Sequence, residues 1–507
     1  MNRQEEKLST INTLNKKVIL LQSLVDNVSQ FKEIFHDDDT FMTRFFANSK
    51  QSSVRFCILY LDGMVDAETI YNSIIDPLVH ADFSDEKQWN MDTLMNQVII
   101  THKVEKSQDS DDLVTAIIRG DSVLLMENCY DALIISSKGW KSRSTSEPEG
   151  EKAIRGPREG FVESLIENIS MIRRRLATPD FKVKMKYIGV RTKTRLGICY
   201  LDGVVNKQIL TELIERIEKI NIDGILLSGT LAELIRDGRY SPFETIGSTE
   251  KPDVAAASLL EGRIIVIVDG TPVTLVLPYL LEQFFQSDDD YALNFYFATL
   301  SRILRIISFI LTVTAPGIYV ALMTYHQEMI PTPLLMSILA ARQGIPFPTI
   351  VETIGLILAF EILREAGMRM PVSLATALSI LGALVLGTAA VEARIVSATV
   401  IIVVAITGLT GLMTQKLKGP VVVVRLFLLV LAGFLGIYGI LYGIIIVLIH
   451  LCNLRSFGVP YMLSYSSLKP EDLRDTALRT PIWSMTKRPK FVSSFNKIRQ
   501  TIRSWNK

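Results

Sequence analysis

Between residues 300 and 452 apolar runs follow one another closely: 300–325, interrupted by Pro316, then 372–391, 395–414 and 421–452. At about 1.5 Å of rise per helical residue, each reaches across roughly 30 Å of hydrocarbon. Lipid offers no partner to a backbone amide, so these runs are expected to be α-helices. The intervening stretch 331–371 is apolar too, yet it carries Glu352, Glu361, Arg364, Glu365 and Arg369. A charge at the centre of a bilayer costs about 2.5–3.5 kcal/mol. Such a stretch therefore needs a protein-lined or wet surrounding. Pro331/Pro333, Pro346/Pro348 and Pro371 cut it into two helical pieces, 334–342 and 349–367, the first too short to span. Broken helices at membrane depth line water-filled cavities, and a helix lying flat among headgroups also houses such charges. Pattern alone leaves both readings open. Glu361 and Glu365 lie one turn apart beside Arg364, with Glu352 on the opposite face.

Ahead of the apolar half the pattern changes. Leu8, Ile11, Leu14, Val18, Leu21 and Val25 recur at helical spacing and predict an amphipathic helix. Arg55-Phe-Cys-Ile-Leu-Tyr-Leu-Asp-Gly63 reads as a buried strand running into a turn, with Asp66 placed to cap a helix. About 140 residues later comes Arg195-Leu-Gly-Ile-Cys-Tyr-Leu-Asp-Gly203, with a helix start at Asn206. Strand pairs around 127–128 and 269–270, each preceded by a helix, align at nearly the same offset. The expected fold is an α/β domain of two related subdomains, followed by an α-helical multi-span membrane domain. The boundaries are an N-terminal helical segment 1–50, subdomains 51–135 and 161–290 around a linker 136–160, a membrane domain 291–452 and a basic tail 453–507.

Charge and chemistry refine this picture. Lys and Arg number 54 against 53 Asp and Glu, which excludes nucleic acid as the main partner. Cys57, Cys129, Cys199 and Cys452 form no CxxC pair and read as reduced thiols, so no metal or cofactor is expected. No leader-like run opens the chain, so the α/β half is expected in the cytoplasm. Asp62 and Asp202 end buried strands, a common catalytic position, but no phosphate loop or nucleophile–base arrangement accompanies them. They are read as turn-formers and helix-entry residues, and the chain as no enzyme. The acidic run 287–290 reads as a solvated face, with Arg302 and Arg305 as anchors on the cytoplasmic side. In the last apolar run Gly436, Gly439 and Gly443 fit small-xxx-small spacing, which suits oligomer packing as well as simple glycine abundance. An even number of crossings follows if both termini are cytoplasmic. Four satisfy it, at the cost of leaving Lys416 and Lys418 outside, and five stay open.

Several stretches together carry a resemblance. APGIYVALMTYHQEMIPTPLLMSILAARQGIPFPTIVE (315–352), FEILREAGMRMP (360–371), SILGALVLGTAAVEA (379–393) and RGPREGF (155–161) resemble the GerA family of spore germination proteins, in particular A subunits of nutrient germinant receptors. RGPREGF itself reads as a rigid connector or an anion site. Arg394 stands where the family pattern has a small residue. The resemblance implies residence in the inner membrane of dormant spores, beside a transporter-like B subunit and a lipoprotein C subunit. It implies nutrient-triggered release of monovalent cations, then of dipicolinate with calcium, through an oligomeric channel in contact with membrane lipid. Glu352, Glu361, Arg364, Glu365 and Arg369 are then the pore or gating candidates. The alternative is a secondary transporter of a small nutrient, although such carriers usually repeat within the membrane part.

Overall fold

Helix α1 (Leu24–Ile34) starts where the Ser23 hydroxyl accepts the Asp26 amide, and it buries Leu24, Val28 and Phe31. Leu21 and Val25, expected on the apolar stripe, are exposed, and 8–18 lie outside the described residues. The computed structural model describes residues 19–82, 90–140, 150–151, 155–371, 374, 382–466, 475–486, 488, 496 and 498–499. After α1 come β1 (Phe41–Ala47), β2 (Arg55–Leu61), a helical run α2 (67–80), β3 (Val104–Ser107), α3 (Ser110–Ile118), β4 (Ser122–Met126) and β5 (Ala132–Ile135). The strands form one antiparallel sheet in the order β1-β2-β4-β5-β3. Alternation along β2 feeds both faces: Cys57, Leu59 and Leu61 pack under α1 and α3, while Phe56 and Ile58 pack under α2.

A second lobe repeats the plan. It comprises α4 (Leu165–Arg175), β6 (Phe181–Ile188), β7 (Thr194–Leu201), α5 (Lys207–Glu218), α6 (Ser228–Ile235), β8 (Gly247–Thr249), α7 (Pro252–Leu260), β9 (Ile264–Val268) and β10 (Thr274–Leu277). Its order is β6-β7-β9-β10-β8, again antiparallel throughout. The unit begins with a helix and an edge strand, so α1 and β1 belong to the first lobe, not to a separate helical segment 1–50. In both lobes a turn closes after the strand, with Gly63 at φ 79° and Gly203 at φ 76°. Asp62 and Asp202 occupy those turns. Helix entry falls instead to Asp66, which accepts the Glu68 and Thr69 amides, and to Asn206, which accepts that of Gln208.

The lobes meet through charge. Arg173 on α4 donates to Asp38 at 2.8 Å, and both side chains are wholly buried. Lys182 donates to the Ile34 carbonyl at 2.8 Å, and burial holds its pKa below the ordinary lysine value. The described ends of the expected linker are docked: Ser137 meets Ser122 at 2.5 Å, and Glu159 accepts from Arg175 at 2.7 Å and from Arg174. Glu159 thus ties RGPREGF to α4, as a connector does. In the acidic run, Asp290 is buried between Arg302 and Arg305, and Asp288 accepts Lys251 at 2.8 Å; the pairing replaces the expected solvated face.

In the helical half, α8 (Phe295–Thr324) continues through Pro316, which removes a single intrahelical bond. Then come α9 (Thr332–Arg342), α10 (Thr349–Arg369), a helical stretch 383–392 and α11 (Ala398–Leu412). The long run Lys418–Asn453 is broken at Gly436, whose φ is 61° and ψ −140°. There the chain doubles back. A Cβ on Gly443 would lie 2.3 Å from Leu428 Cδ2, whereas a straight helix separates those residues by about 22 Å. The two arms are α12 (418–435) and α13 (437–453).

Side-chain contacts give each segment its direction. The far end of α8 meets the hairpin tip, where Tyr325 donates to the Gly433 carbonyl at 3.0 Å. α11 runs antiparallel to α8, pairing Thr399 with Tyr319 and Thr410 with Thr312. α10 runs the same way as α11, since Glu352 meets Ser397 and Glu365 meets Lys418. The segment 382–392 climbs beside it, from Gly382 against Leu363 to Ala390 near Glu352. Among the described residues the helical layer is passed six times, twice by the final run. Lys416 and Lys418 come to the near end, where Lys416 pairs with Glu151 at 3.2 Å, so they do not lie on the far side.

The start of the expected tail is folded. Ser456 donates to the Thr245 carbonyl at 2.6 Å, and Tyr461 is fully buried. Asp475 accepts Arg302 at 2.9 Å. Arg394 sits at φ 52°, a left-handed conformation that costs a residue with a Cβ about 1–2 kcal/mol.

Two outcomes follow from these joints. Gly436→Val should lower the thermal midpoint of the purified full-length protein by the equivalent of about 1–3 kcal/mol. A Cβ there would meet His326 Cε1 at 2.7 Å, whereas one on Gly419 would meet nothing within 4 Å, so Gly419→Ala is the neutral control. An unchanged midpoint for Gly436→Val would contradict the reversal. At Glu151, burial pushes the carboxyl pKa up, but Lys416, the Thr249 hydroxyl and the Glu250 amide together hold it below the ordinary value. Its stabilising effect is complete above the unfolded pKa of about 4.3 and is lost as pH falls through the folded value. Glu151→Gln should therefore lower the midpoint at pH 7, with the deficit shrinking below about pH 4.

Candidate functional site

α10 brings the expected candidates to two levels. At the far level Glu352 is buried; its carboxylate accepts the Ser397 amide at the start of α11 and lies 3.8 Å from Arg342. A carboxylate at a helix N-terminus meets the positive end of the macrodipole. About 13 Å further along the helix, Glu361 faces α12, where its carboxylate is held by Arg425 and by Arg364 one turn on. Arg425 is 2% exposed. Nearer the α/β half, Glu365 pairs with Arg369 at 2.8 Å and Lys418 at 3.4 Å, in the open.

Arg425 was missed in the sequence pattern. Its signal was available: a lone arginine inside VVVVRLFLL carries the same insertion cost as a lone glutamate on α10. What the sequence withheld was which two lone charges face each other. Between α10 and α12 opens a cavity of about 640 Å³ bordered by Glu361, Arg364, Arg425 and Lys418. A second, about 600 Å³, lies at the far level beside Glu352, Phe347 and Ala389.

The glycines expected to pack between subunits are used within the chain. Gly436 lies against His326 and Tyr325, Gly439 against the Leu431 carbonyl, and Gly443 against Leu428 and Leu431. All three are buried, so they keep α8, α12 and α13 close rather than offering an outer face. The outer face is instead large and apolar, with Phe434, Tyr438, Ile449 and Leu300 each more than half exposed. By length and composition Phe295–Thr324 can cross a membrane as one helix, and the equally apolar run Gln415–Asn453 is divided at Gly436 into two arms. An apolar surface of that extent suits lipid, not water. Among the described residues no three His, Cys, Asp or Glu side chains gather into a metal-sized group. Cys57 is buried, and burial pushes its thiol up to about 12.

The family model described as Bacillus/Clostridium GerA spore germination protein matches residues 29–491. This chain belongs to the GerA family. Among GerA relatives, spore germination protein KA of Bacillus subtilis (strain 168) is 40% identical over 487 residues, covering 96% of this chain and 89% of the relative. Spore germination protein GerLA of Bacillus cereus is 35% identical over 445 residues, covering 87% and 90%. The solved N-terminal domain of the A subunit of the Bacillus megaterium spore germinant receptor GerK3 is 29% identical, covers 53% of this chain and 99% of that one, and has a TM-score of 0.39. The relatives' names are those of spore germination proteins.

A double-mutant cycle tests the central contact of this GerA protein. Glu361→Gln strands the buried Arg425 charge, at about 3–5 kcal/mol, and Arg425→Gln, which leaves Glu361 to Arg364 alone, should cost less. Together they should cost less than the sum, with a coupling of about 0.5–3 kcal/mol read from thermal unfolding. Strict additivity would show that the two residues do not act on each other.

Proposed function

We propose that this chain is the membrane subunit of a spore nutrient germinant receptor and couples nutrient sensing to ion release as a component of an oligomeric channel. It acts in the spore inner membrane with a transporter-like B subunit, a lipoprotein C subunit and further copies of itself. The observation that carries this reading is Glu361, a carboxylate inside the helical half gripped by Arg364 and Arg425. Held by two guanidiniums, it is silent toward cations. A shift of α10 against α12 would exchange its partners for water, and acids freed in several copies would attract cations. The exchange is two-state in character because neither partner tolerates burial alone.

The alternating helix directions support six crossings, with the α/β half, Lys416, Lys418 and the tail on the cytoplasmic side. That placement removes the conflict with positive-inside orientation. A carrier reading draws on the cavity beside buried Glu352, which is large enough for a small nutrient.

Spores carrying Glu361→Gln should release potassium severalfold more slowly after nutrient addition, at subunit levels matched by immunoblot. Normal efflux at normal levels would remove Glu361 from the pathway. Uptake of labelled nutrient by liposomes holding this chain, with no ion flux, would favour the carrier.

A further inference from the structure

The cavity between α10 and α12 has more positive charge than its ion pairs use. Arg364, Arg369, Lys418 and Arg425 border it, against Glu361 and Glu365 alone. Both carboxylates are already engaged: Glu361 by Arg364 and Arg425, and Glu365 by Arg369 and Lys418. Donors are left over. The Nε of Arg425, on a side chain 2% exposed, and the buried Nε of Arg364 have no hydrogen-bond partner among the described residues. An unpaired buried guanidinium donor costs about 1–3 kcal/mol or more, so the site is stabilised by anything that supplies acceptor oxygens and negative charge.

The setting selects the anion. Lys418 lies at the near end of the helical layer, next to Lys416 and its contact with Glu151. Arg425 stands seven residues, about 10 Å, deeper. The cations thus climb from the interface into the apolar zone. Above and beside them the walls are aliphatic: Ile362 is 68% exposed and Leu358 47%. A soluble anion would satisfy the cations and leave those walls wet. A lipid whose phosphate meets the arginines would lay its acyl chains along them.

We infer that the groove between α10 and α12 binds one anionic phospholipid, drawn from the leaflet facing the α/β half, with its phosphate beside Arg425, Arg364 and Lys418. Its headgroup charge offsets the cationic excess, and its chains cover Leu358 and Ile362. The inference rests on the proposed placement of the helical half in a membrane, and not on ion conduction.

The test is native mass spectrometry of the purified full-length protein released from detergent containing phosphatidylglycerol or phosphatidylcholine. Phosphatidylglycerol should be retained as a single adduct, and phosphatidylcholine should not. Arg369→Gln combined with Lys418→Gln alters only the exposed mouth, and it should weaken phosphatidylglycerol retention roughly thirtyfold. Ile362→Gln should weaken it as well, with all charges in place. Equal retention of the two lipids, or wild-type retention by the mouth variant, would overturn the site. So would displacement of the adduct by millimolar inorganic phosphate, which would mark a soluble-anion site, or its loss on self-association, which would mark a contact with a second copy. Lipid retention is read without nutrient or ion flux, so its failure is separate from failure of the channel reading.

Discussion

A charge withdrawn from water has to bring its partner with it, and the joints of this chain are built on that constraint. Arg173 and Asp38 close the contact between the two α/β lobes with no exposed surface on either side chain. Arg302 and Arg305 clasp Asp290 where the α/β half becomes the first long helix, and Asp475 returns from the C-terminal region to complete the cluster. Glu361, Arg364 and Arg425 do the same between helices of the apolar half. Breaking one partner of a buried pair costs several kcal/mol because the other charge is stranded, so each joint resists partial opening. Pairs of this kind are weak sources of net stability but strong determinants of which surfaces meet.

The α/β half and the helical half also share a continuous apolar core. Phe284 and Phe285, beyond the last strand of the second lobe, pack in one cluster with Val424 and Leu428 of α12 and Leu451 at the end of α13. Both arms of the hairpin thus stand on the second lobe. A displacement of that lobe acts on α12, and α12 carries Arg425. The route from the α/β half to α12 is short and packed.

Much of this architecture was legible in the residues. The repeated strand-turn segments ending at Gly63 and Gly203 announced the duplication, because a buried strand leading into a left-handed glycine turn needs those residue types in that order. Asp66 and Asn206 announced the helices that follow. The edge strands β1 and β6 were harder to see. FMTRFFA and FKVKMKYI alternate without a long apolar block, and a sheet edge asks less of its sequence than a centre does. Leu21 and Val25 misled for a related reason: a three-to-four spacing persists on either side of a helix start, and only Ser23 marks where the helix begins.

In the helical half the sequence by itself determined which segments leave water, that they are helical, and that the charges in 349–369 require company. Transfer free energy and backbone hydrogen bonding are properties of residues and runs, so composition suffices to state them. Tertiary structure alone decided the direction of each pass, the partner of each charge and the use of each glycine. Gly436 reads in sequence as one more small residue in a spanning helix, but a φ of 61° with a ψ of −140° turns the run into a hairpin. That one dihedral pair returns α13 toward the α/β half, while the passage of α10 and α11 through the layer brings Lys416 beside Glu151 and sets Arg425 opposite Glu361. No local pattern contains this information, because the facing residues are 64 positions apart and only the folded chain measures that distance.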